Sequence, residues 1–388
     1  QCSRCGSRWQ LDFSYSGWYQ RRVAFAEGEA QIKVPRIRCR CGGSVPPDFG
    51  FLLPKRRRYW HDLQLAVIEQ YAEGFSYRAI QRWLRRRSVF AGLSGLPGLM
   101  EACRDVGLHV ALAGGRLRCG EADAAFWRLG AGSAAILHLT EVLPREPARR
   151  VGRHWVRHQT GQVVASLVAP TEGLRGWTEL FDEVYHRGWV TEKGELFLTS
   201  DGNEGLRGAA DLVFGFGRQQ RCTWHIGYRA RQYAPKGEEL AVARAVHHLF
   251  NAHSLEQLHE RFTRFVRRFK AKAPQAVDSV ARKLPQAVAH WVASDHPVRP
   301  KTSAIAERHN LEYKRRLRAT RGLYRQGNLE AVVRLIDLKH NCARQPGTDW
   351  LHLVARDLWP QPVPLHHSPA PPSLPPRSTA TAYTTGGT

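Results

Sequence analysis

The residues best suited to chemistry lie in residues 195–225, ELFLTSDGNEGLRGAADLVFGFGRQQRCTWH. A short apolar run, Leu196-Phe197-Leu198, reads as a buried strand that stops on Ser200-Asp201-Gly202-Asn203. A strand that ends on Asp and turns through Gly sets a carboxylate at the carboxyl edge of a sheet, where open α/β sheets build their sites. The competing reading is a turn Asp that caps the following helix, predicted over about 204–213. A second strand, over about 219–224, is predicted to end in Cys222-x-x-His225, a thiol and an imidazole. Two more acids share the pattern: Asp123, past the core of an earlier strand in RLRCGEADAAFWR, and Glu307, early on a helix in PKTSAIAERHNLEYKRRLRATRGLYR. Taken alone, Glu307 reads as a salt-bridge partner for the cations that follow it. Together, carboxylates from two strands and a helix offer the oxygen ligands that hard cations require. Two Mg²⁺ or Mn²⁺ ions so held suit phosphodiester chemistry, one activating the attacking oxygen and one stabilising the leaving oxygen.

A second ligand set opens the chain. Cys2-x-x-Cys5 and Cys39-x-Cys41 can surround one tetrahedral Zn²⁺. Residues 18–34 between them read as short strands of a zinc ribbon spanning residues 1–50, a module too small to fold without its metal. The other four of the eight cysteines, Cys103, Cys119, Cys222 and Cys342, are scattered singly. That is a metal pattern plus isolated thiols, not a disulfide framework, and it suits a reducing, cytoplasmic compartment.

Charge narrows the partners. The net charge is +24, from 58 Lys+Arg against 34 Asp+Glu over 388 residues. The cations are mostly Arg, whose planar fork matches phosphate, and the expected partner is nucleic acid. No run of 18 apolar residues predicts a membrane span, and no basic helix with a strong aromatic face predicts a membrane surface partner. The first residue is Gln1, and the opening carries no signal-peptide pattern.

The elements that must position these groups follow in order. Pro46, Pro47 and Pro54 mark a linker, and Lys55-Arg56-Arg57-Arg58 leads into region 55–113. There, helical spacing over 62–73 and 76–87, with a turn at Gly74-Phe75-Ser76, predicts a helix-turn-helix; an ordinary α-hairpin is the alternative. Arg78, Gln81, Arg82 and Arg85 are its groove-facing candidates. A helix is expected over 99–113. Strands are predicted over 116–128, 134–143 and 162–169, then a helix over 174–187 carrying Trp177, Leu180, Phe181 and Val184 on one face. With the strand, helix and strand of 195–225, this is an α/β domain over 115–227, resumed over 297–345. Residues 228–296 hold only helical, strongly basic runs and read as an all-α insertion. A further helix is expected over 328–341, and the Pro-rich tail 360–388 is expected to be disordered.

In combination, SDG-x-x-GL-x-x-A, QRCTWH and SAIAERHNLEYKRRLRATRG resemble the bacterial Mutator-type transposases of the IS256 class. The Glu121-Ala122-Asp123 piece and the N-terminal ribbon resemble the ISLre2 type. The resemblance implies an RNase H-like DDE domain interrupted by a helical insertion before its Glu. It makes Asp123, Asp201 and Glu307 the three catalytic, Mg²⁺-binding acids, with Glu121 the less favoured substitute for Asp123. Cys222 and His225 become the family's C-x-x-H pair, and Lys314, Arg315 and Arg318 become DNA contacts. The implied activity is metal-dependent hydrolysis and strand transfer at transposon ends. The implied partners are double-stranded DNA, with inverted repeats and target, and at least a second copy of the chain, in the bacterial cytoplasm at the nucleoid. A catalytically inactive DNA-binding descendant and an RNase H-like nuclease remain as alternatives.

Overall fold

The most apolar runs of the chain become the middle of a five-stranded sheet. The computed structural model describes residues 2–45, 59–89, 96–143, 149–156, 160–293, 298–319 and 325–359, apart from isolated positions within these spans. The linker prolines, Lys55-Arg56-Arg57-Arg58 and the tail 360–388 lie outside the described residues. The N-terminal elements are β1 (Phe13–Phe25), β2 (Gly28–Cys39) and β3 (Ser44–Val45), followed by α1 (His61–Ala72), α2 (Tyr77–Arg85) and α3 (Leu96–Glu101). Next come β4 (Cys119–Leu129), β5 (Gly132–Val142), a small hairpin of β6 (Arg149–Val151) and β7 (His154–Val156), and β8 (Gly161–Ala169). Helices and strands then alternate through α4 (Leu174–His186), β9 (Phe197–Ser200), α5 (Glu204–Phe214) and β10 (Arg218–Arg221). A helical run follows: α6 (Thr223–Gln232), α7 (Glu239–Phe250), α8 (Leu255–Phe269), α9 (Pro274–Lys283) and α10 (Ala289–Val292). Beyond it lie α11 (Ala304–Ala319), α12 (Gln326–Cys342) and α13 (Trp350–Leu358).

The sheet order is β10-β9-β4-β5-β8. β4, β5 and β8 form an antiparallel meander, while β9 lies parallel to β4 and β10 parallel to β9. The carboxyl ends of β4, β9 and β10 therefore share one edge. β5 is buried from Ala134 to Val142, as a strand covered on both faces must be. Its Ala135, Leu137 and Leu139 join a core with Trp177 and Phe181 of α4 and Leu206 of α5. The alternate residues Ala134 and Ile136 join Leu329, Val333 and Ile336 of α12 on the other face. The result is a mixed α/β sandwich.

The region after the linker is not free-standing. Leu63, Val67 and Ile68 of α1 and Ile80 and Leu84 of α2 belong to the same core as α12. Glu73, at the end of α1, pairs with Lys339 of α12 and Arg316 of α11. The turn between α1 and α2 needs Gly74, whose φ of 94° is left-handed, and Ser76 caps α2 by accepting from Ala79 N–H at 3.3 Å. α12 is buried on nearly every side, which fits its contacts with β8, α3, α1, α11 and α13.

Four expectations shift. The helix expected over 99–113 ends early: α3 stops at Glu101 and one 3-10 turn reaches Asp105. There, side chains capture the backbone instead, with Asp357 accepting from Gly107 N–H at 2.9 Å and Asn341 Nδ2 donating to the Leu108 carbonyl at 3.3 Å. α13 extends the chain's packed part past 345. The strands between the cysteine pairs form one long hairpin. The strand expected to carry the C-x-x-H ends at Arg221, and α6 begins at Thr223, with Ile226 and Ala230 buried in a core shared with α7, α8 and α9.

Two buried groups lock α11 against the sheet. Glu121, 1% exposed on β4, accepts from Ile305 N–H at 2.7 Å and Ala306 N–H at 3.0 Å, satisfying first-turn donors of α11. Asp337 of α12 lies 2.6 Å from His309 Nε2 and accepts from Tyr313 Oη at 2.6 Å, both on α11. Burial works against the Asp337 charge, but the hydrogen bond from His309 and that from Tyr313 hold its pKa below the ordinary carboxylate value.

Burial pushes the Glu121 pKa up to about 8 against the pull of the Ala306 and Ile305 N–H groups. The folded state thus keeps a proton that the unfolded chain loses above about pH 4.3, so this group's contribution falls as pH rises toward 8. Glu121→Gln keeps an acceptor and removes that titration. Its stability relative to wild type should rise by about 1 kcal/mol per pH unit between pH 5 and 8 in urea unfolding; a pH-independent difference would contradict the burial argument. Asp337→Ala leaves His309 and Tyr313 buried without their acceptor and should lower the unfolding free energy by about 3–5 kcal/mol in the same assay.

Candidate active site

β4 and β9 run parallel with Ala122 opposite Ser200, so Asp123, still within β4, lies beside Asp201, the first residue past the end of β9. Asp123 is packed from the α11 side. Asn310 Nδ2 donates to its Oδ2 at 2.9 Å, and its own neighbour Ala124 N–H donates to Oδ1 at 2.9 Å. A chain of groups fixes that amide: His138 Nε2 lies 2.9 Å from Asn310 Oδ1, and His138 Nδ1 lies 3.3 Å from Thr140 Oγ1. Burial drives the His138 pKa down to about 3, so the ring stays neutral at neutral pH and, with its proton on Nε2, donates to the amide. The Asp123 pKa is pushed up to about 7 by burial and by the charges of Asp201, Glu307 and Glu172, against the pull of Ala124 N–H.

Asp201 sits in a turn whose details explain the SDG sequence. Its Oδ1 accepts from Asn203 N–H at 2.9 Å, and Asn203 Oδ1 caps α5 by accepting from Leu206 N–H at 3.0 Å. Gly202 has a φ of 86°, and a Cβ there would come within 2.6 Å of the Arg221 guanidinium. The cap on α5 therefore belongs to Asn203, which leaves the Asp201 carboxylate at the edge. Arg221 is held by Gln286 Oε1 at 2.8 Å. Burial lowers its pKa, while the charge of Asp201 works the other way.

Glu307 enters from the first turn of α11. Its Oε1 accepts from Ser303 Oγ at 3.0 Å and lies 3.6 Å from His225 Nδ1. Cys222 extends the β10 pairing through its N–H to the Ser200 carbonyl at 2.7 Å, then its Sγ accepts from Ser303 N–H at 3.4 Å. The C-x-x-H pair thus spans the end of β10 and the first turn of α6. It touches the segment that delivers Glu307 and Glu307 itself. The ligand atoms of Cys222, His225 and Glu307 lie within 4.8 Å of one another, a sulfur, nitrogen and oxygen set that can hold a transition metal.

Glu172 was not singled out in the sequence. It lies in the loop between β8 and α4, and burial together with the charge of Asp201 pushes its pKa up to about 7. The signal was present, since the acid follows a predicted strand just as Asp201 does. On β4, Glu121 is the less favoured substitute for Asp123 that the resemblance leaves open. The structure turns Glu121 inward, two residues earlier on the same strand face, where it caps α11.

The four N-terminal thiols converge. Cys2 Sγ lies 3.5 Å from Cys41 Sγ and Cys5 Sγ 3.6 Å from Cys39 Sγ, with all four within 4.8 Å. A tetrahedron of sulfurs about 2.3 Å from a metal has edges of about 3.8 Å, so the set can hold one tetrahedral ion. Backbone N–H groups of Cys5 and Arg4 draw the Cys2 pKa down to about 6, and a Cβ on Gly43 would strike Cys2 Sγ at 2.7 Å. Of the basic candidates, Arg78, Arg82 and Arg85 are exposed along one face of α2 and Gln81 is half-buried there. Lys314, Arg315 and Arg318 are exposed on α11, Arg315 paired with Glu312 at 2.8 Å.

The chain is similar to known proteins. The family model described as "Transposase, Mutator family" matches residues 8–95 and 159–343. Two insertion-sequence transposases are similar to this chain. One, "Transposase for insertion sequence element IS6120" from Mycolicibacterium smegmatis, is 26% identical over 195 residues, 49% of this chain and 59% of that protein. The other, "Transposase for insertion sequence element IST2" from Acidithiobacillus ferrooxidans, is 26% identical over 136 residues, 34% of this chain and 45% of that protein. The chain spans about half the length of these curated relatives. No helix among the described residues is long and apolar enough to cross a membrane. The match to the family model runs through the helical pair α1–α2, the strands β9 and β10 and the Glu307 helix, and the chain belongs to the Mutator family of transposases.

Proposed function

We propose that this chain is a DNA transposase that cleaves phosphodiester bonds at transposon ends and joins the resulting ends to target DNA. What supports the reading is Asp123 of β4 beside Asp201 at the end of β9, with the charges of Asp201 and of Glu307 on α11 both felt at Asp123, in a Mutator-family chain. We read the mixed sheet with its inserted helices as an RNase H-like domain over 115–227 and 297–345, the insertion as 228–296, α1–α2 as the DNA-reading part of 55–113, and residues 1–50 as a zinc ribbon. The donor set at the edge fits hard divalent cations: it is carboxylate oxygen, and the crowded charges that raise the Asp123 pKa are relieved by bound positive charge. Two Mg²⁺ or Mn²⁺ ions held by Asp123, Asp201 and Glu307 would supply Lewis acidity to the attacking and leaving oxygens of an in-line displacement.

The chain's own residues do the rest. Asn310 holds the Asp123 carboxylate in place, and Ser303 with His225 does the same for Glu307. We assign Cys222 and His225 to this positioning. Arg78, Gln81, Arg82 and Arg85 on α2 present the spacing of a groove-reading helix face, and Lys314, Arg315 and Arg318 present phosphate contacts. Pairing two DNA ends requires at least two copies of the chain.

The test is to incubate DNA carrying the two flanking ends with the protein in Mg²⁺ or Mn²⁺. Nicked and joined products should form, and Asp123→Asn, Asp201→Asn and Glu307→Gln should each reduce them by more than about a hundredfold. Because a metal must displace the Asp123 proton, the Mg²⁺ concentration needed for half-maximal activity should fall as pH rises toward 7. Tight binding without cleavage by any version would favour a DNA-binding role instead, and cleavage without joining a nuclease. Elemental analysis should find one Zn²⁺ per chain, lost in Cys39→Ser; a metal-free folded hairpin would remove the ribbon.

A further inference from the structure

A groove beside the carboxylates is built from residue types that the catalysis above leaves unused. Trp224, Gly227, Tyr228 and Arg231 lie at i, i+3, i+4 and i+7 on α6 and share one face. With Arg244 of α7 and Lys301, that face lines a cavity of about 470 Å³, within the range of small-ligand pockets. Trp224 and Tyr228 stack with ring centroids 5.4 Å apart and planes 9° apart. They remain 53% and 44% exposed, a large aromatic surface left in water. The floor between them is open, since Gly227 carries no side chain and an added Cβ would meet only Val246, at 3.6 Å. Arg231 and Arg244 are exposed at the rim, and no carboxylate lines the cavity among the described residues. Trp224 also adjoins His225, with centroids 5.0 Å apart, and His225 lies against Glu307.

We propose that this groove takes one unpaired nucleotide of the DNA being processed, its base on the Trp224–Tyr228 stack and its phosphate toward Arg231 and Arg244. Aromatic faces together with cations and no acid are the chemistry that recognises a nucleotide. A base inside a duplex cannot present its face, so the occupant is extrahelical or single-stranded. The groove opens one residue from the Glu307 neighbourhood, so a nucleotide seated there would hold the adjoining strand near the carboxylates. The proposal rests on the DNA-processing reading above.

The test compares binding of the full chain, without added divalent metal, to two probes: a blunt duplex of a flanking end and the same duplex bearing an unpaired aminopurine. Wild type should bind the unpaired probe about tenfold tighter and quench its fluorescence. Trp224→Ala and Tyr228→Ala should lose both the preference and the quench while binding the blunt duplex as before, and Trp224→Phe should retain them in part. Equal binding of the two probes by wild type, or a preference that survives in Trp224→Ala, would overturn the groove assignment alone. Failure of wild type to bind either probe would overturn the DNA reading and the groove together.

Discussion

The candidate site depends on the docking of one helix N-terminus onto one strand. α11 follows the helical run α6–α10, so nothing in local sequence ties it to β4. What ties it is Glu121, whose buried carboxyl accepts two first-turn N–H groups of α11. One turn further on, Asn310 reaches the Asp123 carboxylate. The two contacts fix the height and rotation of the helix against the strand, and Glu307 lies between them in sequence. A helix docked one turn away would present Glu307 elsewhere and leave Glu121 buried without donors, a cost of about 1–3 kcal/mol for each lost polar pairing.

The same junction settles a charge problem. Several carboxylates gather at one edge of a protein with net charge +24. Arg308, Lys314, Arg315 and Arg318 on α11 are exposed to solvent, and the cation whose charge is coupled to Asp201 is Arg221. Asp123 instead answers to neutral donors: an amide whose orientation is set by His138, itself kept uncharged by burial. Neutral donors position a carboxylate without satisfying its charge, which leaves it able to take a cation. Beneath, the Asp337 pairing with His309 and Tyr313 anchors the same helix in the core.

The C-x-x-H pair gains a structural account from its place at a strand-to-helix transition. Cys222 continues the β10 hydrogen bonding to Ser200 and then holds Ser303 N–H, while His225 faces Glu307. Two short-range contacts therefore close a loop between the beginning and the end of the helical run. The helices α6–α9 share a core, with Ile226, Val246, Phe265 and Val280 among its members, and Gln220 of β10 ties the helical run to the sheet through the Ala287 carbonyl and His290 N–H.

The sequence by itself determined a great deal. Period-two and period-3.6 apolar patterns gave the order of strands and helices, Asp201-Gly202 marked a strand end, and the cysteine spacing marked a metal-ready cluster, because these features are written within a few residues of one another. Only the tertiary structure decided what depends on distant partners. Glu121 and Asp123 are equivalent acids two residues apart until α11 arrives and claims the first as its cap. Glu172 joins the edge only because β8 ends on the site's side of the sheet and its charge is felt by Asp123. The helical pair α1–α2 looked like a separate module, yet its apolar faces complete the α12 core. His225 lies on a helix and not a strand, with Ile226 and Ala230 of α6 buried in the core shared with α7, α8 and α9. In each case the deciding contact joins residues far apart in the chain, and no local pattern records it.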